Sequence, residues 1–308
     1  MIIKKCFFIG LIILLSGFIT PSFAEDKSIA IIFSRNIVPY QQAITGFKEV
    51  LSDKGYEVSL KIYDLQESAS QEIVREILLL SPDLVVAVGT EAGIFTKDQI
   101  KNPPIVFSMV LDPVESGLVS ALENQAENMT GVYLKIGMEE QFKKLKEMVP
   151  DLKTIGMLYD VKKMERMKQE ALEVAQKLDL NLIAEAIYNP SEINRSLEYV
   201  LKNSDALWAG IDPLIYTPQS AQYIILETLR RKVPFMAFSS NYVQAGAFLA
   251  LECDYTDIGR QTGELALSIL EGQEARTLPI QKPRITKAIF NKNTAELIGI
   301  DVSVSSQE

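Results

Sequence analysis

Histidine is missing from all 308 residues. Its absence removes imidazole general bases, Ser-His-Asp and Cys-His nucleophile systems, and the usual zinc and iron ligand sets. Cysteine is nearly as scarce, with only Cys6 and Cys253 present. Cys6 falls in an N-terminal leader, so the remaining chain has no partner for an intramolecular disulfide. An exported chain without a bridge depends on a large core, and a chain of this length can bury one. Cys253, in the apolar stretch AFLALEC, reads as a small core residue rather than a reactive thiol. Basic charge is also in deficit, the net formal charge being -9. That balance argues against nucleic acid as a partner, since none of the basic stripe it needs is present. An anionic membrane surface is disfavoured for the same reason. No P-loop or dinucleotide fingerprint occurs, and the Gly259–Glu264 stretch is not a nucleotide loop. Past the leader, no apolar run is long enough to span a bilayer.

The first 24 residues have the layout of an export signal. Lys4 and Lys5 form a basic start, Phe7 to Leu15 an apolar centre, and Ser22-Phe23-Ala24 a small-x-small cleavage site before Glu25. The apolar centre is short for a membrane span. A lipid anchor on Cys6 is disfavoured because this cysteine precedes the apolar run. The expected mature protein is exported and periplasmic, and it is two charges more negative than the full chain.

From Ser28 onward the pattern is strand then helix, repeated. Strands are expected at 29–33, 57–63, 84–88 and 105–109. Helices are expected at 41–54, closed by Gly55, and at about 73–80, closed by Pro82. Leu84–Val88 and Ile105–Met109 are continuous apolar runs, which suits a parallel sheet covered on both faces. Thr130–Met138 joins this half to a second one. There, strands are expected at 154–158, 182–187, 206–209 and 234–238, alternating with helices 163–178, 191–203 and 219–232. Strand starts at 29, 57 and 84 are spaced nearly like those at 154, 182 and 206, which points to two similar α/β lobes. After Phe238 come a strand at 247–252, a helix at 257–271 and a last strand at 285–290. These are too few for a third lobe and must dock on the first two. Repeated crossings between lobes make a hinge, and the cleft between hinged lobes is a natural ligand site. The expected division is 25–132 plus about 244–275 for an N-terminal lobe, and 133–243 plus about 276–300 for a C-terminal lobe. Residues 301–308 form a tail.

In parallel sheets ligands sit beyond the carboxyl ends of the strands, so the polar residues there are the candidates. Thr90 follows Gly89 and opens a helix. Its hydroxyl, with the main-chain N–H groups of Glu91 and Ala92, suits a carboxylate, although Thr90 can equally serve as a helix cap. Ser108 ends the next strand and is a second donor to the same group. Asp112 precedes Pro113, so turn formation competes with ligand contact. Asp160 and Asp212 end strands of the second half, and either can pair an ammonium group, with Asp212 favoured. Ser34, Ser239 and Asn241 end other strands and offer neutral donors and acceptors. Tyr40, Tyr159, Trp208 and Tyr216 can supply an aromatic wall, with Trp208 in the apolar ALWA more suited to the core. The helical stripe Met164, Met167, Ala171, Val174, Leu178 reads as core.

Four ordered blocks carry a family resemblance: AVGTEAG, PIVFSMVLDPVESGLV, NMTGVYLKIGMEEQFKKLKEMVPDLKTIGMLYD and AGAFLALECDYTDIGRQTGELALSILEG. They resemble the ABC-transporter substrate-binding family whose characterised members bind tryptophan and related amino acids. The resemblance implies a type I periplasmic binding protein: two Rossmann-like lobes with parallel sheets, a three-segment hinge, and the ligand between the lobes. It implies no cofactor, an ABC permease in the membrane as partner, and action as a monomer. The chain departs from the usual family pattern at Tyr159-Asp160, where Tyr-Asn is common. It departs again at Gly210-Ile211-Asp212-Pro213, where many members carry Asp-Asn, and at Asn241, where many carry aspartate.

The leading expectation is a receptor that traps a small zwitterion, an amino acid or derivative, by hinge closure. The same cleft also suits a sensory subunit whose closed form engages a membrane kinase or chemoreceptor. Carboxylate-driven hydrolysis by Asp112 with Asp160 or Asp212 is the enzymatic alternative, disfavoured in a chain without histidine.

Overall fold

Strands buried along their whole length organise the first lobe. The computed structural model describes residues 27–56, 58–122 and 128–302, so the leader expected at 1–24 lies outside the described residues. In chain order the first lobe has β1 (Lys27–Phe33), α1 (Val38–Asp53), β2 (Val58–Asp64), α2 (Ser70–Leu80) and β3 (Leu84–Val88). These are followed by α3 (Thr90–Gln99), β4 (Ile105–Val110) and β5 (Met129–Tyr133). The five strands are all parallel, in the order β2-β1-β3-β4-β5. Every residue of β3 and β4 is buried. Side chains alternate between the two faces of the sheet. Leu84, Val86 and Val88 join one cluster with Phe47 and Leu51 of α1. Val85 and Ala87 join another with Ile73 and Ile77 of α2.

The second lobe has α4 (Met138–Met148), β6 (Thr154–Asp160), α5 (Glu165–Lys177), β7 (Asn181–Ile187), α6 (Ile193–Asn203) and β8 (Ala206–Trp208). It continues with α7 (Pro218–Arg231), β9 (Phe235–Ala237), α8 (Ser240–Gln244) and β10 (Leu249–Cys253). After α9 (Tyr255–Leu270) the chain returns to this lobe for β11 (Thr286–Phe290) and α10 (Lys292–Ile298). The sheet order is β11-β10-β9-β8-β6-β7, with only β11 antiparallel to its neighbour. Trp208 is core, as expected: its indole N–H donates to Gln141 Oε1 at 2.9 Å and its ring meets Phe142 edge-on. Among the described residues, no helix is long and apolar enough to cross a membrane.

Two expected placements need correction. The strand at 247–252, assigned to the first lobe, pairs instead with β9 through Leu249↔Met236 and with β11 through Leu249↔Phe290. Only α9 then crosses back. The residues from 276 onward stay with the first lobe for longer than expected, since Gln281 exchanges main-chain hydrogen bonds with Gly131 and Tyr133 beside β5. Strand β5 itself was expected only as part of a joining segment.

The chain crosses between lobes three times, after Tyr133, after Cys253 and around Lys282–Ile285. The crossings are tied together. Cys253 Sγ donates to the Leu134 carbonyl at 3.3 Å, and Asp254 N–H donates to the Ile285 carbonyl at 3.1 Å. Burial pushes the Cys253 thiol up to about 12, which fits a core residue rather than a nucleophile. Asp257, Gln261 and Glu264 lie on one face of α9 and hold the third crossing. Arg284 donates to both Asp257 oxygens and to Glu264, and the Gln261 amide spans Gln281, Lys282 and Arg284.

Helix α9 lies almost in backbone contact with α1. A Cβ on Gly46 would sit 1.9 Å from the Thr256 carbonyl oxygen, and one on Gly259 would sit 1.8 Å from that of Ala43. The two glycines let the helices approach to main-chain distance.

Candidate functional site

Because β5 and β10 both leave their sheets at the carboxyl end and lead into crossings, the carboxyl ends of both sheets border the space between the lobes. Most of the candidate residues lie on these rims, but the structure gives them unequal duties.

At the first rim, Gly89 has φ 94°, a left-handed value that glycine tolerates without strain. A Cβ there would lie 2.5 Å from the Tyr40 hydroxyl and 2.6 Å from Ser34 Oγ, so both groups crowd the start of α3. Ser34 is buried and its Oγ accepts the Ala92 N–H at 2.8 Å. It therefore caps α3 as an acceptor, and it takes up one of the two N–H groups expected to serve a carboxylate. Among the described residues, the N–H groups of Thr90 and Glu91 have no acceptor. Thr90 Oγ1 makes one long contact, accepting from Leu111 N–H at 3.3 Å. Among the described residues the Tyr40 phenol has no hydrogen-bond partner, and its ring is stacked on Phe33. Burial pushes that phenol above its usual value, with Arg35 opposing and Glu91 adding in smaller measure. The Glu91 carboxylate pairs with Arg35 at 3.1 Å. Both side chains are half exposed, so the pair contributes little to stability.

Ser108 is misplaced by the strand-end reading. It is 1% exposed, on the face of β4 covered by α9, and its hydroxyl bonds to Thr262 Oγ1 at 2.8 Å. Strand β4 runs on to Val110, past an irregularity at Met109 with φ 58°. The true rim after β4 is Leu111-Asp112. Asp112 forms the turn: its Oδ1 accepts N–H groups from Val114 and Glu115 at 3.0 Å each. Its Oδ2 meets Lys135 Nζ at 3.2 Å. Burial pushes the Asp112 carboxyl up, but these N–H groups and the Lys135 ammonium outweigh it and hold it below the usual range. Lys135, on the first crossing, also lies 3.8 Å from Glu170 of α5 and so ties the rim of one lobe to the other.

At the second rim, Tyr159 is buried in the core with Glu165 beside its hydroxyl, and burial raises its phenol pKa. Asp212 is 1% exposed and both its oxygens are occupied. Oδ2 accepts Asp160 N–H at 2.8 Å, and Oδ1 accepts Leu214 and Ile215 N–H at 3.0 and 3.4 Å. It fastens the end of β6 to the loop after β8, so the acid favoured for an ammonium is a fastening of the lobe. Asp160, also buried, accepts Lys162 N–H at 2.9 Å. Tyr216 stacks among Phe235, Phe238 and Tyr242 in the core. Ser239 is half-buried at the start of α8, and Asn241 is exposed on that short helix.

Apolar side chains at the same rims were not singled out from the sequence. Ile37 and Val38 follow β1, Leu111 follows β4 and Ile211 follows β8, and all four are exposed, Val38 to 64%. The signal available was an apolar residue just past a buried strand, where a turn ordinarily places polar ones.

The titratable groups whose values shift do so away from neutrality. Carboxylates such as Asp112 and Asp254, the latter held by the Lys287 ammonium, go down, while Tyr40, Tyr159, Tyr255 and Cys253 go up. A lowered carboxyl contributes stability above its unfolded pKa and loses it as pH falls through the folded value. A raised phenol or thiol contributes stability below its unfolded value and loses it as pH rises through the folded one. With no histidine, melting temperature and ligand affinity are expected to stay flat between about pH 5.5 and 8. A bell or step in that window, measured by thermal melting and calorimetry, contradicts the assignment.

Two parallel-stranded lobes, three tied crossings and polar strand ends bordering a cleft define a solute-binding protein of the type I periplasmic class. The chain belongs to the ABC transporter substrate binding protein family, whose model matches residues 29–305. It is 26% identical over 265 residues to a tyrosine-binding protein of Clostridioides difficile, covering 83% of this chain and 76% of that protein. It is similar to the ligand-free, open structure of a substrate binding protein with adhesive properties from Clostridium difficile. There the identity is 25%, the TM-score 0.80, and the coverage 89% of this chain and 95% of the other. A Streptococcus pneumoniae ABC domain in complex with L-Trp matches at 23% identity and TM-score 0.63, over 91% and 97% of the two chains. These relatives are binding proteins and not enzymes, in agreement with the reading of a chain without histidine.

Proposed function

We propose that the exported chain captures a free α-amino acid with an aromatic or large aliphatic side chain, closes its lobes around it, and delivers it as a monomer to a membrane permease. One observation carries this reading. The rim that offers the unfilled N–H groups of Thr90 and Glu91, the Thr90 hydroxyl and the Tyr40 phenol also presents exposed Ile37, Val38 and Leu111. A carboxylate suits the donors, because a helix N-terminus carries partial positive charge and free N–H groups. An apolar side chain suits the aliphatic surface, with Ile211 on the facing rim and Ser239 and Asn241 as neutral polar groups beside it. The likeness to a tyrosine-binding protein and to an L-Trp complex supports the same ligand class. Hinge closure is supported by the likeness to an open, ligand-free relative, the form that awaits a ligand.

Titration calorimetry of residues 25–308 with L-tyrosine, L-tryptophan, L-leucine, L-glutamate and L-arabinose separates the possibilities. Binding of the first three, tightest for one of the aromatics, with none of glutamate or arabinose, is the expected outcome. Sugar binding without amino-acid binding overturns the proposal.

A further inference from the structure

A groove of about 440 Å3 lies beside the hinge, lined by Gln42, Tyr255 and Arg260 from the first-lobe side and by Glu252, Lys287 and Ile289 from β10 and β11. Glu252, at the carboxyl end of β10, is half-buried, and its Oε1 accepts the Ser240 N–H at 2.9 Å. Among the described residues no lysine or arginine nitrogen is paired with it, although two cations line the same groove. Lys287 sits opposite Glu252 in the β10–β11 register but turns to Asp254 at 2.6 Å, and Arg260 is engaged by Glu49 at 2.8 Å. Other acids around the cleft are differently placed. Glu91 is paired with Arg35, and Asp112 and Glu170 share Lys135. Asp212 has both oxygens on main-chain N–H groups, and Asp160 is nearly enclosed. Glu140 bonds the Thr286 hydroxyl and does not line the groove.

We infer that Glu252 is the seat of the ligand's ammonium group, a role that rests on the amino-acid reading above. A half-buried carboxylate without a counter-charge is costly, and a cation arriving from outside removes that cost. Helix α1 reaches both places from different faces. Tyr40 lies against Gly89, where the carboxylate is proposed to bind, and Gln42, two residues on, lines the Glu252 groove. Closure of the lobes brings β10 toward that helix, so the ammonium is gripped from the second lobe while the carboxylate is gripped from the first. The ligand thereby becomes the bridge that holds the closed form.

Glu252→Gln keeps the Ser240 hydrogen bond and removes only the charge. L-Tyrosine and L-tryptophan are expected to bind E252Q about 10- to 100-fold more weakly than the unaltered protein. Their deaminated analogues, 3-(4-hydroxyphenyl)propionate and indole-3-propionate, are expected to bind both proteins alike. The ligand-free melting temperature of E252Q is expected to be unchanged or higher, since an uncompensated charge has been removed. Equal affinity of both proteins for the amino acids overturns the assignment, as does an equal loss for amino acids and deaminated analogues. A loss produced by Asp160→Asn and not by E252Q moves the ammonium to Asp160. If the unaltered protein binds neither amino acid, the amino-acid reading falls and the ammonium seat falls with it.

Discussion

Replacing Asp212 by alanine is expected to lower the unfolding free energy by about 3 to 5 kcal/mol, the largest effect of any single rim substitution. The carboxylate accepts three main-chain N–H groups, from Asp160, Leu214 and Ile215, at a position only 1% exposed. Alanine leaves all three donors without an acceptor in a place that water reaches poorly. Each such donor costs on the order of 1 to 3 kcal/mol, reduced where a water enters the space left by the carboxyl group. Asparagine keeps one acceptor but sets an NH2 group against a donor, so an intermediate loss is expected. Urea denaturation followed by circular dichroism measures both. Had Asp212 been a ligand contact, alanine would weaken binding and leave the denaturation midpoint in place.

The second large effect is at Gly259. Alanine there is expected to cost about 3 kcal/mol, because its Cβ would fall 1.8 Å from the Ala43 carbonyl oxygen. That obstacle is main chain and cannot rotate away, so α1 and α9 must separate along their contact. Separation also disturbs Asp257, Gln261 and Glu264, which hold the third crossing from the same helix. Gly46→Ala, 1.9 Å from the Thr256 oxygen, is expected to behave alike. Gly137→Ala is the control, since its Cβ would meet nothing within 4 Å and its φ is -58°. Melting curves in which G259A and G137A coincide with the unaltered protein contradict the close helix contact.

The order of strands and helices was readable because buried parallel strands are unbroken apolar runs and the helices carry apolar stripes. Lobe membership was less readable. Strand β10 has the same local pattern whichever sheet it joins, and only its pairing with Met236 and Ala237 decides the matter. Strand β5 escaped notice because Gly131 and the lysine-containing segment after it look like a connector. At the rims, sequence located Gly89-Thr90 at the start of α3 but could not show that Ser34 takes the Ala92 N–H. Ser108 shows the limit of strand-end reasoning: two further residues of β4 turned a proposed rim donor into a core hydroxyl. Asp212 shows another, since a carboxylate near a strand end looks the same whether it faces a ligand or its own loop. The block from Ala245 to Gly272 that carries most of the family resemblance is explained by packing. Gly259, Asp257, Gln261 and Glu264 keep α9 on α1 and fix a hinge segment, duties that restrict residue choice.

The claim that most needs a direct measurement is that the two lobes close on an amino acid. Small-angle X-ray scattering of the mature chain, alone and with saturating L-tyrosine or L-tryptophan, measures it in solution. A smaller radius of gyration with either amino acid, and no change with L-arabinose, is the expected result. Identical profiles in the presence of an amino acid that calorimetry shows to be bound would contradict it.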